Sequence, residues 1–107
     1  METLQQSGST AVIVLDEETA GDGITAMRER LESHLRAGAT SIIVDIAAVP
    51  RLSSTLLASL LWAHRACRRR GGRVTLRSPN RSCREALART GLRPLFLPAP
   101  TRTRVSA

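Results

Sequence analysis

Hydrophobic positions along the chain alternate between the period of a strand and the period of a helix. Residues 10–15, TAVIVL, are apolar and β-branched and predict a strand. The acidic segment DEETAGDG at 16–23 reads as a turn. From there the period lengthens. Ile24, Met27, Leu31 and Leu35 fall on one helix face, Arg28, Glu29, Glu32 and Arg36 lie mostly off it, and Gly38 is a stop signal. SIIVDI at 41–46 is a continuous apolar run, the kind of strand buried on both faces of a parallel sheet. A second helix is predicted over about 55–70, ended by Gly71 and Gly72. RVTLR at 73–77 predicts a third strand. A third helix follows, with Ser78 as its cap and Pro79 at its first position, running to about Arg89 and closed by Gly91. LFL at 95–97 reads as a short last strand, and the Pro-rich tail beyond it as loose.

The order is therefore β-α-β-α-β-α-β. It predicts an α/β fold with a mostly parallel sheet of four or five strands, covering helices and right-handed crossovers. With 107 residues the chain is expected to form one domain. Residues 10–98 would be that domain. Residues 1–9 would be a short N-terminal segment able to add an edge strand, and 99–107 a flexible Pro/Arg tail. No apolar stretch approaches the roughly 20 residues that span a bilayer. METLQQSGST has neither a basic nor an apolar leader region, so a cytoplasmic protein is expected.

Charge sharpens the picture. Every one of the 16 basic residues is arginine. Residues 1–63 hold four arginines against eight acids, a net of −4, whereas residues 64–107 hold twelve arginines against the single acid Glu85, a net of +11. The C-terminal half should attract an anionic partner. The cluster RACRRRGGR could meet nucleic-acid phosphates, but it has no interleaved aromatics and no helix-turn-helix, RNP or OB signature, so nucleic acid is disfavoured. There is no Gly-rich phosphate loop and no carboxylate pair, and Cys67 and Cys83 lack metal-ligand spacing, so neither a metal nor a cofactor is expected. His34 and His64 stand alone on helices as packing or surface residues. Asp45, near a strand end, has no nucleophile or base beside it, and an enzyme is not expected.

Between the two longest apolar runs sits a polar knot, RLSST at 51–55. It joins the end of a parallel strand to the start of the next helix, on the sheet edge where α/β proteins place their sites. Ser and Thr are good helix caps. A cap accounts for one hydroxyl, and the knot carries three.

From the knot onward the residues resemble the STAS domain of bacterial anti-sigma-factor antagonists. The shared series is a strand with Asp45, the helix opening SSTLLA, the Gly71–Gly72 turn, the strand RVTLR, Ser78–Pro79 and TGL at 90–92; the similarity covers about residues 10–98. The resemblance implies a partner-switching module without catalytic residues, which binds an anti-sigma factor or serine kinase of the anti-sigma type. Phosphorylation at Ser54, with Ser53 and Thr55 as rival acceptors, would release the partner. The helix and the loop before it would form the docking surface, through Arg51, Ser53, Ser54, Thr55, Ala58, Ser59, Trp62, Arg65 and Arg69. A weak homodimer is a further implied state. Three positions depart from the family pattern: Ser53 stands for its Asp, and Leu56 and Ala58 stand for two glycines. A module that binds without being switched is the alternative, and a basic nucleic-acid binder the more remote one.

On the second helix Leu56, Leu57, Leu60, Leu61, Ala63 and Cys67 form the expected apolar stripe. Ser59, Trp62, Arg65, Ala66 and Arg69 fall opposite. Trp62 among them is either partly buried against a neighbour or an exposed anchor for a protein partner.

Overall fold

The computed structural model describes residues 9–17 and 24–97. Seven elements follow one another: β1 (Thr10–Asp16), α1 (Ile24–Arg36), β2 (Ser41–Ala48), α2 (Ser54–Arg68), β3 (Val74–Arg77), α3 (Arg81–Thr90) and α4 (Arg93–Phe96). The expected N-terminal segment and C-terminal tail lie outside the described residues, apart from Ser9.

The strands pair in parallel in the order β1-β2-β3. Sequential parallel strands joined by right-handed crossovers place their connecting helices on one side of the sheet, and burial follows that rule. Ile13 and Leu15 of β1, Ile42, Val44 and Ile46 of β2, and Val74 and Leu76 of β3 share the covered face and are buried. The opposite face is far more open: Val12 and Val14 are 44% and 59% exposed, and Ile43, Asp45 and Thr75 are half-buried. This corrects the expectation that 41–46 is buried on both faces. The run is continuous in sequence, but only its alternate residues enter the core.

The core is aliphatic. Leu31 of α1, Leu60 of α2 and Leu87 of α3 are fully buried against the sheet, and Phe96 of α4 closes the cluster.

A second correction concerns the sheet. Among the described residues it has three strands, not four or five, and residues 95–97 do not form the last one. Pro94 sits in the first turn of α4, and Leu95 and Phe96 both donate their N–H groups to the Leu92 carbonyl. Proline cannot supply a ladder donor and suits the start of a helix, so LFL coils and turns Phe96 inward. The Phe96 ring meets the edge of His64 at 5.7 Å.

A third correction concerns α2. Its buried stripe is Leu56, Ser59, Leu60, Ala63, His64, Ala66 and Cys67, with Leu57, Leu61 and Trp62 only partly buried. The helix is rotated from the expected stripe because small residues, Ser59 and Ala66, take the closest approach. The buried Ser59 hydroxyl donates to the Thr55 carbonyl at 3.0 Å, which satisfies it.

At the other end of α2 the chain passes through Gly72, where an added Cβ would collide with the Thr40 carbonyl; only glycine fits that approach.

Candidate functional site at the carboxyl edge of the sheet

The carboxyl ends of the strands gather two described loops. The first runs from β2 to α2. Val49 and Leu52 point into the core and pin it, leaving Pro50, Arg51, Ser53, Ser54 and Thr55 exposed. Val49 N–H closes a turn onto the Ile46 carbonyl at 3.0 Å.

The three hydroxyls of the knot have different roles. Ser53 is the N-cap of α2, with extended backbone, and its Oγ accepts from Leu56 N–H at 3.1 Å. An Asp at this position would cap in the same way, so the departure at Ser53 keeps the helix start intact. Ser54 is the first helical residue, one position ahead of the predicted start near 55, and its exposed hydroxyl has no hydrogen-bond partner among the described residues. Thr55 is exposed one position further on. The N–H groups of Ser54 and Thr55 belong to the first helical turn, which leaves donors free and carries partial positive charge. No acid lies in that turn.

The second loop runs from β3 to α3. Here the expected cap is corrected: Asn80, not Ser78, caps α3, and Pro79 precedes the helix. Asn80 Oδ1 accepts from Cys83 N–H at 2.8 Å. Its amide nitrogen reaches across to the first loop and donates to the carbonyls of Val49 at 3.3 Å and Pro50 at 3.1 Å. One side chain thus caps one helix and holds the backbone just before the other. Ser78 cannot cap because it adopts φ 61°, in the left-handed region that costs a residue with a Cβ about 1–2 kcal/mol.

Asp45 braces the same edge. Its carboxylate accepts from Ala47 N–H at 2.9 Å and from Arg77 Nε and Nη2 at 3.2 and 3.0 Å. The Ala47 amide first, and the Arg77 guanidinium second, hold its pKa below the ordinary carboxylate value. Asp45 and Arg77 are register partners on β2 and β3. The residue is a cross-strand tie.

The other predicted partner residues separate. Arg51, Ser53, Ser54, Thr55 and Ala58 are exposed at or near the knot. Leu56 is buried, so its side chain adds no bulk to the surface where the family carries a glycine; Ala58 does. Ser59 is 1% exposed and cannot touch a partner, a correction that follows from the rotation of α2. Arg65 is exposed and Trp62 is half-buried. The Arg28 guanidinium of α1 lies 4.7 Å from the centre of the Trp62 ring. Trp62 and Arg69 line a groove with Glu32, Leu35 and Arg36 of α1, further along α2 from the knot.

Sequence reading missed Asn80, although Asn directly before a helix is a recognised cap signal. It also missed the Asp45–Arg77 tie, whose two members are 32 positions apart.

The ordered series of motifs now has a geometry: a capped helix start beside a braced strand end, on a sheet with its helices on one side. Over residues 2–97 the chain matches the family described as "Mlab, STAS domain". The chain belongs to the STAS family. STAS domains are regulatory protein-binding modules and generally not enzymes. No curated protein matches the chain closely enough to count as a relative. Among the described residues of this STAS domain, no helix is long and apolar enough to cross a membrane.

Proposed function

We propose that this STAS domain is an anti-sigma-factor antagonist of the partner-switching type. Its exposed carboxyl edge, Arg51, Ser53, Ser54, Thr55 and Ala58, docks an anti-sigma factor that is a serine kinase, and a phosphate on Ser54 ends the complex. One observation carries the reading. Of the knot's hydroxyls, Ser53 is used as the cap, while Ser54 stands exposed at the first helical position with no hydrogen-bond partner among the described residues.

A phosphate there adds about −1.5 to −2 charge at pH 7. The helix N-terminus tolerates that charge, and Arg51 lies three residues upstream. The domain stays folded while a partner fitted to the unphosphorylated edge is repelled.

The test is phosphoryl transfer. Incubation with the cognate anti-sigma kinase and ATP should add one phosphate, mapped by mass spectrometry to Ser54 and abolished by Ser54→Ala. Ser53→Asp restores the family's carboxylate without losing the cap and should transfer at least as fast as the wild type. Phosphate on a remote residue such as Ser82, with Ser54→Ala still switching, refutes the proposal.

A further inference from the structure

Between α1 and α2 lies a second surface feature, an open groove of about 530 Å³. That size lies within the usual range for ligand pockets, about 300–1,000 Å³. Its floor is apolar: Leu35 of α1 and Ala66 of α2 are nearly fully buried, and Trp62 is half-buried between the helices. Its rim is basic. Arg36 from α1, and Arg69 and Arg70 from the end of α2, are exposed and have no ion-pair partner among the described residues. Glu32 is the one acid of the lining. The Arg28 guanidinium lies over the Trp62 ring, a cation–π contact.

This groove is not part of the edge around Ser54. Arg69 lies fifteen positions along the helix from Ser54, about 22 Å at helical rise.

We infer that the α1–α2 groove is a second docking site, and that it takes an acidic peptide segment of a protein partner carrying an apolar side chain. Three exposed arginines against the single acid Glu32 leave the groove net positive, which calls for a ligand of opposite charge. The half-buried Trp62 ring is the apolar surface the groove still offers, and it calls for an apolar group between the acids, as anchors in interface pockets do. A nucleic-acid backbone would meet the arginines, but the single Trp62 ring, with Arg28 already over it, offers no run of stacking platforms for bases. The site is independent of phosphorylation at the other end of α2.

Trp62 is the chain's one tryptophan, so its fluorescence reports on this groove alone. The purified full chain is titrated with a short acidic peptide bearing a central leucine, with the same peptide bearing serine instead, with single-stranded oligo-dT and with inorganic phosphate. The leucine peptide should change the emission saturably, and the serine peptide should bind at least several-fold more weakly. Oligo-dT and phosphate should give no saturable change over the same range. Arg69→Glu/Arg70→Glu, two exposed changes whose fold is checked by circular dichroism, should weaken the leucine peptide at least tenfold. Ser54→Glu should leave it unchanged, which separates failure here from failure of the switch. No saturable response to the leucine peptide overturns the inference. So does tighter binding of oligo-dT with the same dependence on Arg69 and Arg70.

Discussion

His64 shows how one buried residue makes the fold sensitive to pH. Its Nδ1 accepts from Val74 N–H at 3.2 Å, so α2 is tied directly to β3. That bond requires the neutral ring. Burial first, then the charges of Arg73 and Arg68, lowers its pKa below the ordinary value of 6.5. Below that value the unfolded chain takes up a proton that the folded chain refuses, so folding loses stability as pH falls. The stability is fully present above about pH 6.5. The urea midpoint should therefore drop between pH 7.5 and 5.5, and His64→Gln, which does not titrate, should flatten that slope. Asp45, whose pKa is also lowered, is lost in a separate window below the ordinary carboxylate value of 3.8, as protonation removes the Ala47 and Arg77 contacts.

Between elements, Asn80 is the decisive tie. It caps α3 and donates to the two carbonyls that precede the knot. Asn80→Ala should cost about 1–2 kcal/mol in chemical unfolding from the lost cap and inter-loop bonds. Asn80→Asp, which keeps the cap but loses the amide donors, should recover only part of it. The elements themselves were largely legible in the sequence. Strands β1 to β3 and helices α1 to α3 follow the switches of period, because each buries one face and needs the matching repeat. Element α4 was not legible, since three apolar residues fit a strand or a turn and only Pro94 tips the balance. Nor was the rotation of α2. Hydrophobicity alone puts Leu61 in the core and Ser59 outside, whereas tight packing favours the smaller side chain once its hydroxyl is bonded within the helix. At the site, the place of Ser54 was legible from the strand–knot–helix order, but its freedom relative to Ser53 depends on a single hydrogen bond.

Across the molecule, the charge asymmetry acquires an arrangement. Arg65 and Arg68 lie in the last turn of α2 and Arg69 caps it, the end where the helix dipole favours cations. The strongly basic balance is thus partly structural and concentrated at the end of α2 remote from Ser54. At the carboxyl edge, by contrast, Arg77 is paired with Asp45, and Arg81 with Glu85 at 3.3 Å. Arg51 at that edge is exposed with no ion-pair partner among the described residues, and it is the charge that the proposed phosphate on Ser54 would meet. The most direct measurement is the affinity of the cognate anti-sigma kinase for the wild type, Ser54→Ala and Ser54→Glu, by calorimetry, with thermal unfolding as the control on the fold. The account predicts that Ser54→Ala binds like the wild type, and that Ser54→Glu binds at least tenfold more weakly, about 1.4 kcal/mol, with an unchanged melting temperature. Equal affinity for all three chains would contradict it.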